Sequence, residues 1–148
     1  MVGTNVKKKV EPALLISEIT EAERPALAAM WERYDSFRGM RGTLDYIEMT
    51  WENPTSTILL GKRDSELISS AIVGYDGHLG WIYGICVDQA VRRQGYGRET
   101  IEAAESWLRT RGATAVTLQV RFTNLSVLGF YDKLGYGFQN MVLLGKNL

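Results

Sequence analysis

The sequence predicts an α/β protein: a mixed, mostly antiparallel sheet of six to seven strands flanked by about four helices. Three observations lead there. Between Thr57 and Val87, three apolar β-type runs are separated only by short turn signals, at Arg63-Asp64-Ser65 and Asp76-Gly77, which is the pattern of an antiparallel meander. From Gly95 to Arg111 the spacing changes to helical, with Ile101, Ala104 and Leu108 on one face. A new β run at Ala115–Val120 follows, so the chain crosses over a sheet face to a parallel neighbour.

The remaining elements follow in order. Leu14–Glu18 reads as a first strand, and Thr20-Glu21-Ala22-Glu23 has capping-box spacing. Leu27, Met30, Trp31 and Tyr34 continue it as a helix whose first turn Pro25 distorts. A loop at Asp35–Gly42 leads to a second helix over Thr43–Trp51. In the Gly95–Arg111 helix, Glu99, Glu102 and Glu105 precede Arg109 and Arg111, an order that suits the helix dipole, and Gly112 ends it. A short helix over Asn124–Leu134, closed by Gly135, and a last strand at Met141–Gly145 complete the chain.

Composition narrows the function. A length of 148 residues, 45% of them hydrophobic, suits one core and one domain, expected over residues 13–148. Residues 1–12 carry Lys7, Lys8 and Lys9 with no hydrophobic segment behind them, which reads as a flexible terminus rather than a secretory signal. Seventeen basic side chains balance seventeen acidic ones, an argument against nucleic acid or an anionic membrane as partner. The lone Cys86 cannot form an intramolecular disulfide, and no run approaches the length of a membrane span, so a reducing, cytoplasmic setting is expected.

The segment Val91-Arg92-Arg93-Gln94-Gly95-Tyr96-Gly97 lies between an apolar strand and a helix that lacks a cap residue. Such a junction suits a diphosphate: glycine lets the backbone approach, the helix start offers free N–H groups, and Arg92, Arg93 and Arg98 add charge. No lysine followed by Ser or Thr closes the loop, and no glycine-rich turn follows the first strand. These absences argue against a triphosphate P-loop and a dinucleotide-binding unit. An ordinary turn with two glycines is the plainer alternative.

Arg92-x-x-Gly95-x-Gly97 in this setting resembles the Arg/Gln-x-x-Gly-x-Gly/Ala signature of the GNAT superfamily of acyl-CoA-dependent N-acyltransferases. Asn124-Leu-Ser-Val-Leu-Gly-Phe-Tyr131-Asp-Lys-Leu-Gly-Tyr136 resembles that family's closing motif, with Val127 where alanine is usual. The stretch Leu118–Asn124 resembles bacterial members that acetylate protein N-termini. The resemblance implies splayed fourth and fifth strands. Between them the pantetheine arm of acetyl-CoA would bond to the backbone of Ile85, Cys86 and Val87. It also implies pyrophosphate binding by Arg92, Arg93, Gln94, Gly95, Tyr96, Gly97 and Arg98, and contact between Asn124 and the pantetheine arm. No metal is implied.

The implied reaction is transfer of acetyl from acetyl-CoA to a primary amine by direct attack in a ternary complex, with Tyr131 giving a proton to the leaving thiolate. Tyr131 also sits at helical spacing from Leu128 and Leu134, as a core residue would, and Asn124 also suits a helix N-cap. Where some members carry a glutamate base on the fourth strand, this chain has Trp81, leaving His78, Asp76 and Tyr83 through a water chain as candidates. His78 in a hairpin also reads as a solvated turn residue, and Cys86 as a small buried hydrophobe rather than a nucleophile. Trp31, Tyr34, Phe37, Tyr75, Trp81 and Tyr83, with Arg38 and Asp35, are candidates to line a pocket for a small-molecule or peptide amine. A homodimer is left open, and the rival reading is a non-catalytic acyl-CoA sensor or interaction module.

Overall fold

The computed structural model describes residues 13–34 and 42–148. The predicted loop residues Asp35, Phe37 and Arg38, and the N-terminal segment 1–12, lie outside them. The chain divides into two compact units, one ending at Leu118 and the other running from Gln119 to Leu148.

The first unit carries a five-stranded sheet in the order β1-β2-β3-β4-β5: β1 (Leu15–Glu18), β2 (Ser56–Arg63), β3 (Glu66–Tyr75), β4 (Gly80–Val87) and β5 (Val116–Leu118). β1 to β4 pair antiparallel and β4 pairs parallel with β5, as the meander and crossover predict. Asp64 and Ser65 both take positive φ, at 49° and 67°, so a two-residue loop of the type that follows strand twist joins β2 to β3.

Alternation along the strands sorts side chains to two faces. One face, with Ile58, Leu60, Ile72 and Cys86, packs under Leu27, Met30 and Trp31 of α1 (Arg24–Arg33) and Ile47 of α2 (Thr43–Glu52). The capping box forms ahead of α1: the amide and hydroxyl of Thr20 both donate to the Glu23 carboxylate, at 2.8 and 2.9 Å. A 3-10 turn over Glu21–Glu23 precedes the helix, and Pro25 sits in its first turn, where no N–H is needed. On the other face lies α3 (Tyr96–Arg109), whose stripe Tyr96, Thr100, Ile101, Ala104 and Leu108 is buried.

The second unit holds a 3-10 segment over Phe122–Val127 and α4 (Leu128–Lys133). The helix predicted from Asn124 therefore starts four residues later. Asn124 has φ −128° and ψ 34°, which breaks the helical run, and its side chain does not cap α4. The last strand predicted at Met141–Gly145 does not form. Apolar β-type composition makes a strand only where a ladder partner exists, and these residues have none, leaving Met141, Val142, Leu143 and Leu144 exposed. The strand count is thus five, and β5 is shorter than the predicted Ala115–Val120.

Candidate active site

The site is built on β4 and the loop that follows it. β4 pairs β3 through Ile72↔Tyr83 and then Ser70↔Cys86, so Gly84 and Ile85 together oppose Ala71 in a β-bulge, with Gly84 at φ 61°. On its other edge β4 pairs β5 only at Gly80, Trp81 and Ile82. β5 ends at Leu118, so its pairing with β4 stops at Ile82. Ile85, Cys86 and Val87 lie in the last part of β4, and the Cys86 side chain packs in the core.

After Val87 the chain makes a short turn over Gln89–Val91, capped by the Asp88 carboxylate on the Ala90 amide at 2.9 Å. That bond, and a 2.8 Å hydrogen bond from the Tyr34 hydroxyl, hold the Asp88 carboxyl below its usual range. Two left-handed residues then bend the loop, Arg93 at φ 64° and Gly95 at φ 88°. Glycine takes this conformation at no steric cost, and a Cβ on Gly95 would meet nothing within 4 Å, so the space before the helix start is open. α3 begins at Tyr96 with no side-chain cap on its first amides. Arg92, Arg93 and Arg98 are exposed around them. Uncapped amides, a positive helix end and three guanidinium groups are the chemistry of an oxyanion cradle.

Tyr96 enters this site through its backbone alone. Its ring is 2% exposed, and its hydroxyl accepts a hydrogen bond from Arg63 of β2. The stripe of Thr100, Ala104 and Leu108 at four-residue intervals, extended one turn backwards, marks Tyr96 as a core position from sequence.

Most of the predicted aromatic pocket is engaged elsewhere. The Trp31 indole donates to the Ser70 hydroxyl at 2.8 Å, and the Tyr75 hydroxyl donates to the Gly77 carbonyl at 3.0 Å. The Asp76 carboxylate accepts the Leu79 and His78 amides at 2.8 Å, and the Trp81 side chain also bonds to it. Those bonds, led by the Leu79 amide, hold the Asp76 carboxyl below its usual range, so it serves the hairpin and is a weak base. Tyr83 remains 38% exposed. Beside it stands Tyr46 of α2, not foreseen from sequence, packed edge-on to Trp31 with ring centroids 6.4 Å apart. Burial pushes the hydroxyls of both Tyr46 and Tyr83 above the ordinary phenol value, and the neighbouring Tyr83 raises Tyr46 further.

A cavity of about 340 Å³ lies on the α1 face of the sheet, opposite α3. Leu15, Ala26, Leu60 and Leu67 line it, and its Lys62 and Glu23 are paired with each other.

Within the second unit, the Tyr131 ring is edge-on to Phe130 and Tyr136, with centroids 5.0 and 5.9 Å away. Burial raises the Tyr131 hydroxyl above the ordinary phenol value, keeping it protonated throughout the neutral range. Asn124 is exposed.

Comparison with known proteins decides the family. The model of the GNAT acetyltransferase family matches residues 17–136, across both units. The chain belongs to the GNAT acetyltransferase family. An acetyltransferase of Pectobacterium atrosepticum is 32% identical over 123 residues, covering 83% of this chain and 87% of that protein. An acetyltransferase of Yersinia pseudotuberculosis is 31% identical over 119 residues, covering 80% and 84%. The aminoglycoside N-acetyltransferase AAC(6')-Iy in complex with CoA shares the fold, with a TM-score of 0.78 at 15% identity over 93% of this chain and 97% of that one. So does a transcriptional regulator from Bacillus halodurans, with a TM-score of 0.76 at 18% identity over 90% and 99%. As a GNAT acetyltransferase the protein is an acyl-transferring enzyme. Among the described residues no cluster suited to a metal ion occurs, and no helix is long and apolar enough to cross a membrane.

Proposed function

We propose that this GNAT acetyltransferase moves an acetyl group from acetyl-CoA to a primary amine by direct attack in a ternary complex, acting in the cytoplasm as one domain over residues 13–148. The observation that carries the reading is the bent loop at Arg93 and Gly95 opening on the uncapped start of α3. The amides of Gln94 to Arg98 hold the pyrophosphate, and Arg92, Arg93 and Arg98 balance its charge. The backbone of Ile85, Cys86 and Val87 in β4 takes the pantetheine arm as an added strand, with Asn124 bonding to the same arm.

The acceptor amine must lose its proton before attack. Tyr46 and Tyr83, neutral phenols on a half-buried wall, desolvate the ammonium and so lower its pKa. The proton leaves to water. The amine nitrogen forms a bond to the thioester carbon, the C–S bond breaks, and Tyr131 protonates the departing thiolate. The proton shed by the acylated nitrogen passes through water to restore the Tyr131 phenol. A small-molecule amine suits this wall. Two structural neighbours at 15 to 16% identity are aminoglycoside acetyltransferases, one in complex with a bisubstrate analogue and one with sisomicin.

Calorimetry with acetyl-CoA and a panel of amines scored by free-thiol release test the reading. Saturable binding and turnover are expected, and no binding at millimolar acetyl-CoA would overturn it. Tyr131→Phe is expected to reduce kcat by about 100-fold, the lower range for losing a positioned acid, with cofactor affinity unchanged. A non-catalytic sensor would bind acetyl-CoA and release no thiol with any amine.

A further inference from the structure

The amides at the start of α3 bind an anion only if the first turn of the helix is held at a fixed angle to the sheet. Three polar ties hold it, at Glu99, Thr100 and Tyr96. Leu14 donates its amide to the Glu99 carboxylate at 3.0 Å. The Thr100 hydroxyl donates to the Tyr96 carbonyl at 2.7 Å and shares a 2.7 Å hydrogen bond with Ser69 of β3. Gly61 of β2 makes room for this: a Cβ there would come within 2.3 Å of the Ser69 hydroxyl. The third tie spans from the end of β2 to the first residue of the helix, where Arg63 donates to the Tyr96 hydroxyl and places its guanidinium 5.5 Å from the ring centroid.

We propose that Arg63, 33 residues before the helix start and outside every motif, is a positioning residue for CoA: it fixes Tyr96, and through it aims the first amides of α3 at the pyrophosphate. Arg63 closes the β2–β3 turn by pairing with Glu66, and the loop residues Asp64 and Ser65 hold that turn in its left-handed form. The anchor is therefore on a stiff hairpin end rather than on a loose loop. Tyr96 is the post between them, since its buried ring fixes the position of the hydroxyl that Arg63 grips. A charged hydrogen bond to a phenol is directional in a way that apolar packing is not, and direction is what an amide cradle needs.

This inference rests on the acetyl-CoA reading, and the test separates the two. CoA and dephospho-CoA, which keeps the pyrophosphate and lacks the 3′-phosphate, are titrated calorimetrically into wild type, Arg63→Met, Arg63→Lys and Tyr96→Phe, with a thermal melt of each. Arg63→Met and Tyr96→Phe are expected to weaken both ligands by about tenfold, the range for losing one hydrogen bond to a charged group. Arg63→Lys is expected to recover part of the loss. Unchanged CoA affinity in Arg63→Met and Tyr96→Phe, whatever the melts show, would reduce the contact to a structural one and overturn the proposal. A loss in Arg63→Met for CoA that disappears with dephospho-CoA would also overturn it, by showing direct contact between Arg63 and the 3′-phosphate. Failure of wild type to bind CoA at all would instead remove the acetyl-CoA reading beneath it.

Discussion

The two faces of the sheet are covered by helices in different ways. On the face under α1 and α2, the core is almost wholly apolar, with the Trp31 indole hydrogen-bonded to Ser70. On the face under α3, apolar contacts at Ile101, Ala104 and Leu108 give way toward the helix start to a chain of hydroxyls and charges: Ser69, Thr100, Tyr96 and Arg63. A helix that only covers a sheet needs area. A helix whose first amides must point at a ligand also needs bonds with direction, and these are concentrated in its first turn.

Substitutions on the two faces sharpen this contrast. Trp31→Ala removes the largest fully buried side chain and should cost about 3–5 kcal/mol in a denaturant melt. The protein that remains folded should bind CoA as wild type does. Gly61→Ala forces a methyl group against Ser69 and Leu14 and should cost about 1–3 kcal/mol. Because it displaces Ser69 from Thr100, its CoA affinity should fall as well, and an unchanged calorimetric affinity would break the distinction between the faces. Thr100→Val keeps the volume but loses both hydroxyl bonds, leaving Ser69 buried without that partner. It should cost about 1–2 kcal/mol in the melt, with a measurable loss of CoA affinity.

The smallest effect belongs to the α1 face. The Lys62 ammonium bonded to the Glu23 carboxylate holds that carboxyl below its usual range, with the Thr20 bonds adding to it. A carboxyl with a lowered folded-state pKa stabilises the fold above its unfolded value, and the contribution is lost as pH falls through the folded value. Glu23→Gln should therefore lower stability by at most about 1 kcal/mol at neutral pH, for a pair partly open to solvent. Melts of the variant and wild type should converge in acid, and CoA affinity should not change.

Much of this was legible in the sequence, for reasons that differ from residue to residue. Gly80–Val87 carries a strand signal bounded by turns, so β4 was predicted to its ends. Ile101, Ala104 and Leu108 mark the buried stripe of α3 by period alone. Gly84, a glycine inside a strand, carried a signal for the bulge, yet period-2 alternation alone does not show which residues two strands oppose. The bond between Arg63 and Tyr96 has no local signature, because nothing in either neighbourhood states that a hairpin end and a helix start will meet. Met141–Gly145 misled in the opposite direction, since its composition suits a strand but pairing is a property of two segments. Asn124 likewise has the chemistry of a cap, while its backbone angles place it inside a broken 3-10 run.

The left-handed bend at Arg93 has a kinetic consequence. A non-glycine residue at φ 64° carries roughly 1 kcal/mol of backbone strain. On the acetyl-CoA reading, folding takes up that strain, and a diphosphate would meet amides that already converge. Encounter, rather than rearrangement, then sets the rate at which the donor is captured. In a stopped-flow experiment the observed rate should rise in a straight line with CoA concentration, without the plateau that a loop closing afterwards would impose.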